Sequence, residues 1–176
     1  MKKSIVLFLF LLTAISYSQT KEVSIFERKH ELKAGAIKLL AGPIFEGTYE
    51  YISTKNFTYG ASLLVNLNTG NDFEEDFSIT PFARFYFQET KEYGAKGFFV
   101  EGFAKYSTGE SFEFWDGNND NTNYNAVSLG LSLGRKWINS SGFVFEPLLG
   151  VGRTLGNGNN RPEAFFRGDL FIGYRF

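Results

Sequence analysis

Gly168-Asp169-Leu170-Phe171-Ile172-Gly173-Tyr174-Arg175-Phe176 closes this 176-residue chain. In an extended strand side chains repeat every two residues, so Leu170, Ile172, Tyr174 and Phe176 share one face. Asp169, Phe171, Gly173 and Arg175 share the other. A last segment that ends inside a strand, on an aromatic, suits a closed barrel in a bacterial outer membrane. There the final strand must pair with the first so that no backbone edge is left in lipid.

Working outward, period-two runs bounded by Gly, Asn, Asp and Ser clusters predict eight strands: 31–40, 44–52, 57–67, 77–87, 98–107, 124–138, 143–155 and 164–176. A strand of ten residues rises roughly 33 Å and, tilted by about 40°, covers roughly 25 Å, the height of an outer-membrane apolar band. The connections alternate as such a barrel requires. Ser53-Thr54-Lys55-Asn56 and Asn139-Ser140-Ser141-Gly142 read as tight turns, and 68–76, 108–123 and 156–163 as polar loops on the opposite rim. Two connections fit less well: Ala41-Gly42-Pro43 is short for an outer loop, and 89–96 is long for an inner turn. Pro81 and Pro147 each fall inside a strand, which predicts a bulge or a place in the strand's outer half. In 31–40 the spacing leaves open whether Ala34 and Ala36, or Gly35, Ile37 and Leu39, face lipid. No stretch of the mature chain shows helical periodicity.

One face of these strands is apolar and aromatic. It holds Phe45, Tyr49, Tyr51, Tyr59, Leu63, Val65, Ile79, Phe85, Phe98, Val100, Tyr106, Val127, Leu129, Leu131, Leu133, Phe143, Phe145, Leu149 and Val151. Rings cluster toward strand ends, where amphipathic side chains meet headgroups: Tyr51, Tyr59, Phe87, Trp137, Phe143, Tyr174 and Phe176. The opposite face carries Glu46, Glu50, Arg84, Glu101, Lys105, Lys136, Glu146, Arg167, Asp169 and Arg175, five acids and five bases that can neutralise one another in a narrow lumen. It also carries Ala126, Ser128, Gly130, Ser132 and Gly134, small residues suited to a crowded interior. A soluble lipocalin-like barrel around a small apolar ligand is the alternative. Its water-facing side chains would be long and polar rather than small.

Met1-Lys2-Lys3, the apolar run 5–15 and Ser16-Tyr17-Ser18 predict a secretory signal peptide over 1–18. Residues 19–30 read as a periplasmic lead and 31–176 as the barrel. The apolar run is shorter than the roughly 20 residues of a spanning helix. No cysteine is present, which excludes disulfides and a lipoprotein anchor, and a net charge of −1 gives no basis for nucleic-acid binding. The 21 Phe, 9 Tyr and 19 Gly are abundant, as barrel strands and their girdles require.

The stretches Phe82-Ala83-Arg84-Phe85-Tyr86-Phe87, Gly97-Phe98-Phe99-Val100-Glu101-Gly102 and Gly142-Phe143-Val144-Phe145-Glu146-Pro147 resemble those of small eight-stranded outer-membrane barrels of the OmpA transmembrane-domain and OmpX type. They also resemble stretches of barrel proteins of Bacteroidetes. The resemblance implies an all-β fold, an eight-stranded antiparallel up-and-down transmembrane β-barrel, in the outer membrane of a Gram-negative bacterium. It also implies insertion by the barrel assembly machinery, which reads a terminal signal that Asp169, Tyr174 and Phe176 match; Phe171 stands where glycine is usual.

Catalytic chemistry finds little support. His30 is the only histidine, and it precedes the first strand, away from the outer leaflet where lipid-directed barrel hydrolases act. Asp116, Asn118, Asn119 and Asp120 lack the spacing of a calcium loop. Gly150-Val151-Gly152 and 156–160 precede no helix that could hold a phosphate. No catalytic, cofactor or metal residue is therefore assigned. The inward charges read as a salt-bridged plug, or as a narrow pore. The expected function is non-enzymatic, with outer loops making structural or adhesive contacts to a partner of unknown identity, and Phe112, Phe114 and Trp115 are candidate contacts beside outer-membrane lipid.

Overall fold

The computed structural model describes residues 25, 27–67, 75–87, 94–111, 122–155 and 163–176. Eight strands, β1 (His30–Gly35), β2 (Ile44–Ile52), β3 (Phe57–Asn66), β4 (Glu75–Tyr86), β5 (Gly97–Ser111), β6 (Thr122–Ile138), β7 (Phe143–Leu155) and β8 (Ala164–Arg175), pair in sequence order. Every pairing is antiparallel, and β1 meets β8 from Glu31↔Arg175 to Gly35↔Phe171, so the sheet closes on itself. His30 and Phe176 complete the seam with N···O distances of 3.2 and 2.8 Å. The all-β, eight-stranded antiparallel barrel expected from the sequence is the fold observed. The predicted signal peptide, most of the 19–30 lead, the cores of the three long loops and Phe112, Phe114 and Trp115 lie outside the described residues.

The facing of the wall follows the period of two. Leu129, Leu131 and Phe145 are 52, 63 and 37% exposed, whereas Glu46, Glu101 and Arg167 are at most 5% exposed. The apolar face read from the sequence points out, and the ionisable face points in. One register choice per strand fixes this, because a slip of one residue would reverse every side chain.

The first strand is shorter than the pattern suggested. It ends at Gly35, and Ala36–Ala41 form a six-residue helix, α1. The reason lies in the phase of the apolar residues. Glu31, Lys33 and Gly35 face inward, so an in-phase extension would carry Ile37 and Leu39 into the charged lumen and push Lys38 out. Coiling instead leaves Ile37, Leu39 and Leu40 exposed and turns Lys38 toward Glu46. Neither proposed facing is observed as a whole: Leu32 and Ala34 point outward, and Ala36 onward leave the sheet. The first connection thus runs from Ala36 to Pro43, which accounts for the apparent shortness of Ala41-Gly42-Pro43.

The prolines also depart from expectation. The only register shift between β4 and β5 is at Glu75/Phe77, and Pro81 keeps its pairing with Ala61 of β3. Pro147 pairs with Leu170 of β8 and sits toward the turn end of β7. In each case the register holds while pairing lapses on one side only, between Ile79 and Phe82 against β5 and between Phe145 and Leu148 against β7's neighbour β6. A missing N–H removes the bond to one neighbour and leaves the other ladder intact, so no bulge is needed.

Inside, rings lie against glycines. Phe82, Phe99, Phe103 and Phe165 point inward, each register partner of a glycine in the next strand: Gly60, Gly134, Gly130 and Gly152. A Cβ at any of these glycines would collide with the facing ring. The small residues of β6 read from sequence are therefore the floor on which inward aromatics rest. At the turn end Ala95, at φ 53° and fully buried, tucks under the barrel, its N–H donating to Lys55 O at 2.7 Å.

Candidate functional site

Every inward charge named from the sequence except Lys105 is buried, and the barrel axis strings them into tiers. Nearest the short turns, Arg175 donates to Glu31 (Nη2–Oε1 2.6 Å) and to the carbonyls of Gly94 and Ala95 at 2.8 and 3.1 Å. Lys136 joins Glu31 at 2.7 Å to Glu50 at 2.8 Å.

The middle tier is the densest. Lys33 lies 2.5 Å from Glu50 and 2.9 Å from Glu146, and Arg84 lies 2.6 Å from Glu50 and 2.9 Å from Glu146. Thr58 and Tyr86 donate to the remaining Glu50 oxygen at 2.6 and 3.0 Å. Five side chains thus converge on one carboxylate. Such convergence offsets the several kcal/mol that isolating a single buried ion would cost.

Toward the long loops, Glu101 receives Arg84 at 2.7 Å, Ser132 at 3.0 Å and Arg167. Arg167 also reaches Ser62 at 3.0 Å and Glu46 at 3.5 Å. Lys38 of α1 bonds to Glu46 and stands 3.8 Å from Asp169, whose other oxygen accepts the Ile37 N–H at 2.8 Å. At the rim Lys105 pairs with Glu75 rather than with Glu101, four residues before it. Over these pairs seven acids (Glu31, Glu46, Glu50, Glu75, Glu101, Glu146, Asp169) meet seven bases (Lys33, Lys38, Arg84, Lys105, Lys136, Arg167, Arg175). The neutrality expected from five and five holds in the larger set.

The bases also lie on rings. The Arg84 guanidinium carbon is 4.3 Å from the Phe82 ring centre and 4.6 Å from that of Phe99, Arg167 is 5.1 Å from Phe103, and Lys136 is 5.1 Å from Tyr86. A desolvated cation over a ring face gains on the order of 2 kcal/mol. Glycine, ring, cation and carboxylate therefore form one stacked unit repeated up the barrel.

Sequence reasoning missed Glu31, Lys33, Lys38 and Glu75 and the inward rings. The first two were obscured by the phase slip at Gly35, and the rings were hidden because a lone Phe suits either face. Pairing each Phe with the glycine opposite is the signal that finds them. His30, at the turn end, is exposed, hydrogen-bonds Tyr49 through Nδ1 at 2.7 Å and stacks on Phe176 with ring centres 5.9 Å apart. The terminal-signal residues divide: Asp169 points inward to α1, and Tyr174 and Phe176 point outward at the rim. No family model, curated protein or solved structure matches this chain.

Proposed function

We propose that this chain is a non-enzymatic transmembrane barrel of a Gram-negative outer membrane, its lumen closed by the ion-pair column and its loops available for structural or adhesive contacts. The observation that carries the reading is the inverted distribution of polarity: hydrocarbon-like side chains form the outer surface, and ionisable side chains fill the interior. Water would favour the reverse. A lipocalin-like container needs an apolar lumen, and here the lumen holds Glu50, Arg84, Lys136 and Glu146 at full burial. The column also speaks against an open ion path, because its buried charges are tied to one another from Arg175 to Arg167.

Two further features support the reading. β5, β6 and β7 have 15, 17 and 13 residues, enough to cross an apolar band of about 25 Å at an ordinary tilt. At the turn end, rings group on the outer surface, with Tyr51 and Tyr59 centred 5.4 Å apart and Trp137 and Phe145 5.6 Å apart. Kinship with the OmpA and OmpX type, export by the 1–18 signal peptide and recognition of Asp169, Tyr174 and Phe176 by the barrel assembly machinery belong to the same proposal. The test is fractionation with protease treatment of intact cells. Recovery in the outer membrane, with cleavage within 112–121 and protection of 53–56, is the expected result; recovery in a soluble fraction would refute it.

A further inference from the structure

The outer face is not wholly free of charge. Arg135 of β6 follows Leu133 and precedes Trp137 on the outward row, at the turn end of the wall. Phe98 of β5 is its register partner, and its guanidinium carbon lies 4.7 Å from the ring centres of both Phe98 and Trp137. Trp137 in turn packs on Phe145 of β7. The guanidinium is thus clamped between two rings, which fix its plane and leave its N–H edge as the contacting surface.

Among the described residues that cation has no counter-charge within ion-pair distance. Its Nε is buried and bonds to nothing. Among the described residues its interactions are confined to the two rings, and none of the ion pairs of the barrel includes it. Inward cations of this barrel are all neutralised within 4 Å, so Arg135 stands apart. Arg153, the outward arginine toward the other rim, is exposed, and among the described residues no ring lies against it.

We infer that Arg135, Phe98 and Trp137 form a binding site for the phosphate of an anionic phospholipid headgroup in the leaflet on the turn side of the barrel. The inference rests on the membrane reading above. A planar guanidinium held by rings accepts a phosphate through two parallel N–H···O bonds, the geometry that favours arginine at phosphate sites. The rings on either side suit the glycerol and upper acyl carbons of the same lipid, because amphipathic side chains of this kind belong at headgroup depth.

Trp137 reports on the site directly. The chain has two tryptophans, so Trp115→Phe leaves Trp137 as the sole indole. This variant, full-length and reconstituted in phosphatidylcholine vesicles containing some phosphatidylglycerol, is examined with bromines on the acyl chains of one lipid or the other. Quenching of Trp137 then measures which lipid lies beside it. Phosphatidylglycerol is expected to be enriched there about fivefold over its bulk share. The enrichment should vanish in Arg135→Gln and persist in Arg153→Gln, with heat-modifiable gel migration showing that both variants are folded.

Unchanged enrichment in Arg135→Gln would overturn the proposal. Loss of enrichment in millimolar inorganic phosphate, but not in chloride of matched ionic strength, would assign the site to free phosphate and overturn the lipid assignment. Equal quenching by both lipids in the parent would overturn this proposal alone. No quenching by either would overturn it together with the membrane reading.

Discussion

Glu50 shows how much of this interior depends on single atoms. It accepts from Lys33, Arg84, Lys136, Thr58 and Tyr86. Glu50→Ala would leave three buried cations short of a partner, at a cost of about 3–5 kcal/mol. The Lys105–Glu75 pair at the rim keeps 11 and 13% side-chain exposure and involves a single carboxylate partner, so Lys105→Ala should cost clearly less than Glu50→Ala. Equilibrium urea unfolding from lipid vesicles separates the two; equal losses would contradict the central role of Glu50. At this scale the sequence was informative wherever a strand's facing was unambiguous. Glu46, Glu50, Arg84, Glu101, Glu146, Arg167 and Arg175 were legible as inward because each alternates with a large apolar neighbour. Glu31 and Lys33 were not, because Leu32 and Ile37 imply opposite phases.

Among the elements, α1 and the ring–glycine pairs have the clearest consequences. β1 stops at Gly35, so β8 above Phe171 and β2 before Gly47 lack β1 partners, and α1 contacts both strands. Lys38 ties the helix to Glu46 of β2 and Asp169 of β8. A six-residue helix has little stability of its own, so these tethers and packing hold it. Lys38→Ala is expected to raise amide exchange across 36–41 while leaving that of β5 and β6 unchanged. Uniformly faster exchange would show that α1 is not a separate unit. The second consequence concerns Gly130, where any Cβ meets the Phe103 ring. Gly130→Val should destabilise by about 1–3 kcal/mol through overpacking, read by the same urea titration, and Phe103→Leu in the same chain should recover part of the loss. Strand positions were readable in the sequence because period two is a local property. The helix was not, since what ends β1 is a conflict between local phase and the polarity of a lumen made by other strands.

The molecule as a whole is inverted in polarity, with an apolar outer wall around an ion-paired interior. On the proposed membrane reading the outer Leu, Val, Phe and Tyr side chains face hydrocarbon, and the buried acids of the lumen are tolerated because each is paired with a base. Leu131→Arg, at mid-height on the outer wall, should therefore cost about 2–4 kcal/mol when the barrel is folded in a bilayer, measured by unfolding from vesicles. The most direct test is a cysteine scan along β6, which the cysteine-free chain permits without background. Single cysteines at Ser128, Leu129, Leu131, Ser132 and Leu133, reacted after folding into vesicles with a polarity-sensitive maleimide dye, should alternate. Labels at Leu129, Leu131 and Leu133 should emit as from hydrocarbon, while Ser128 and Ser132 stay unreacted behind the wall. Water-like emission at Leu129, Leu131 and Leu133, or ready labelling at Ser128 and Ser132, would contradict the account.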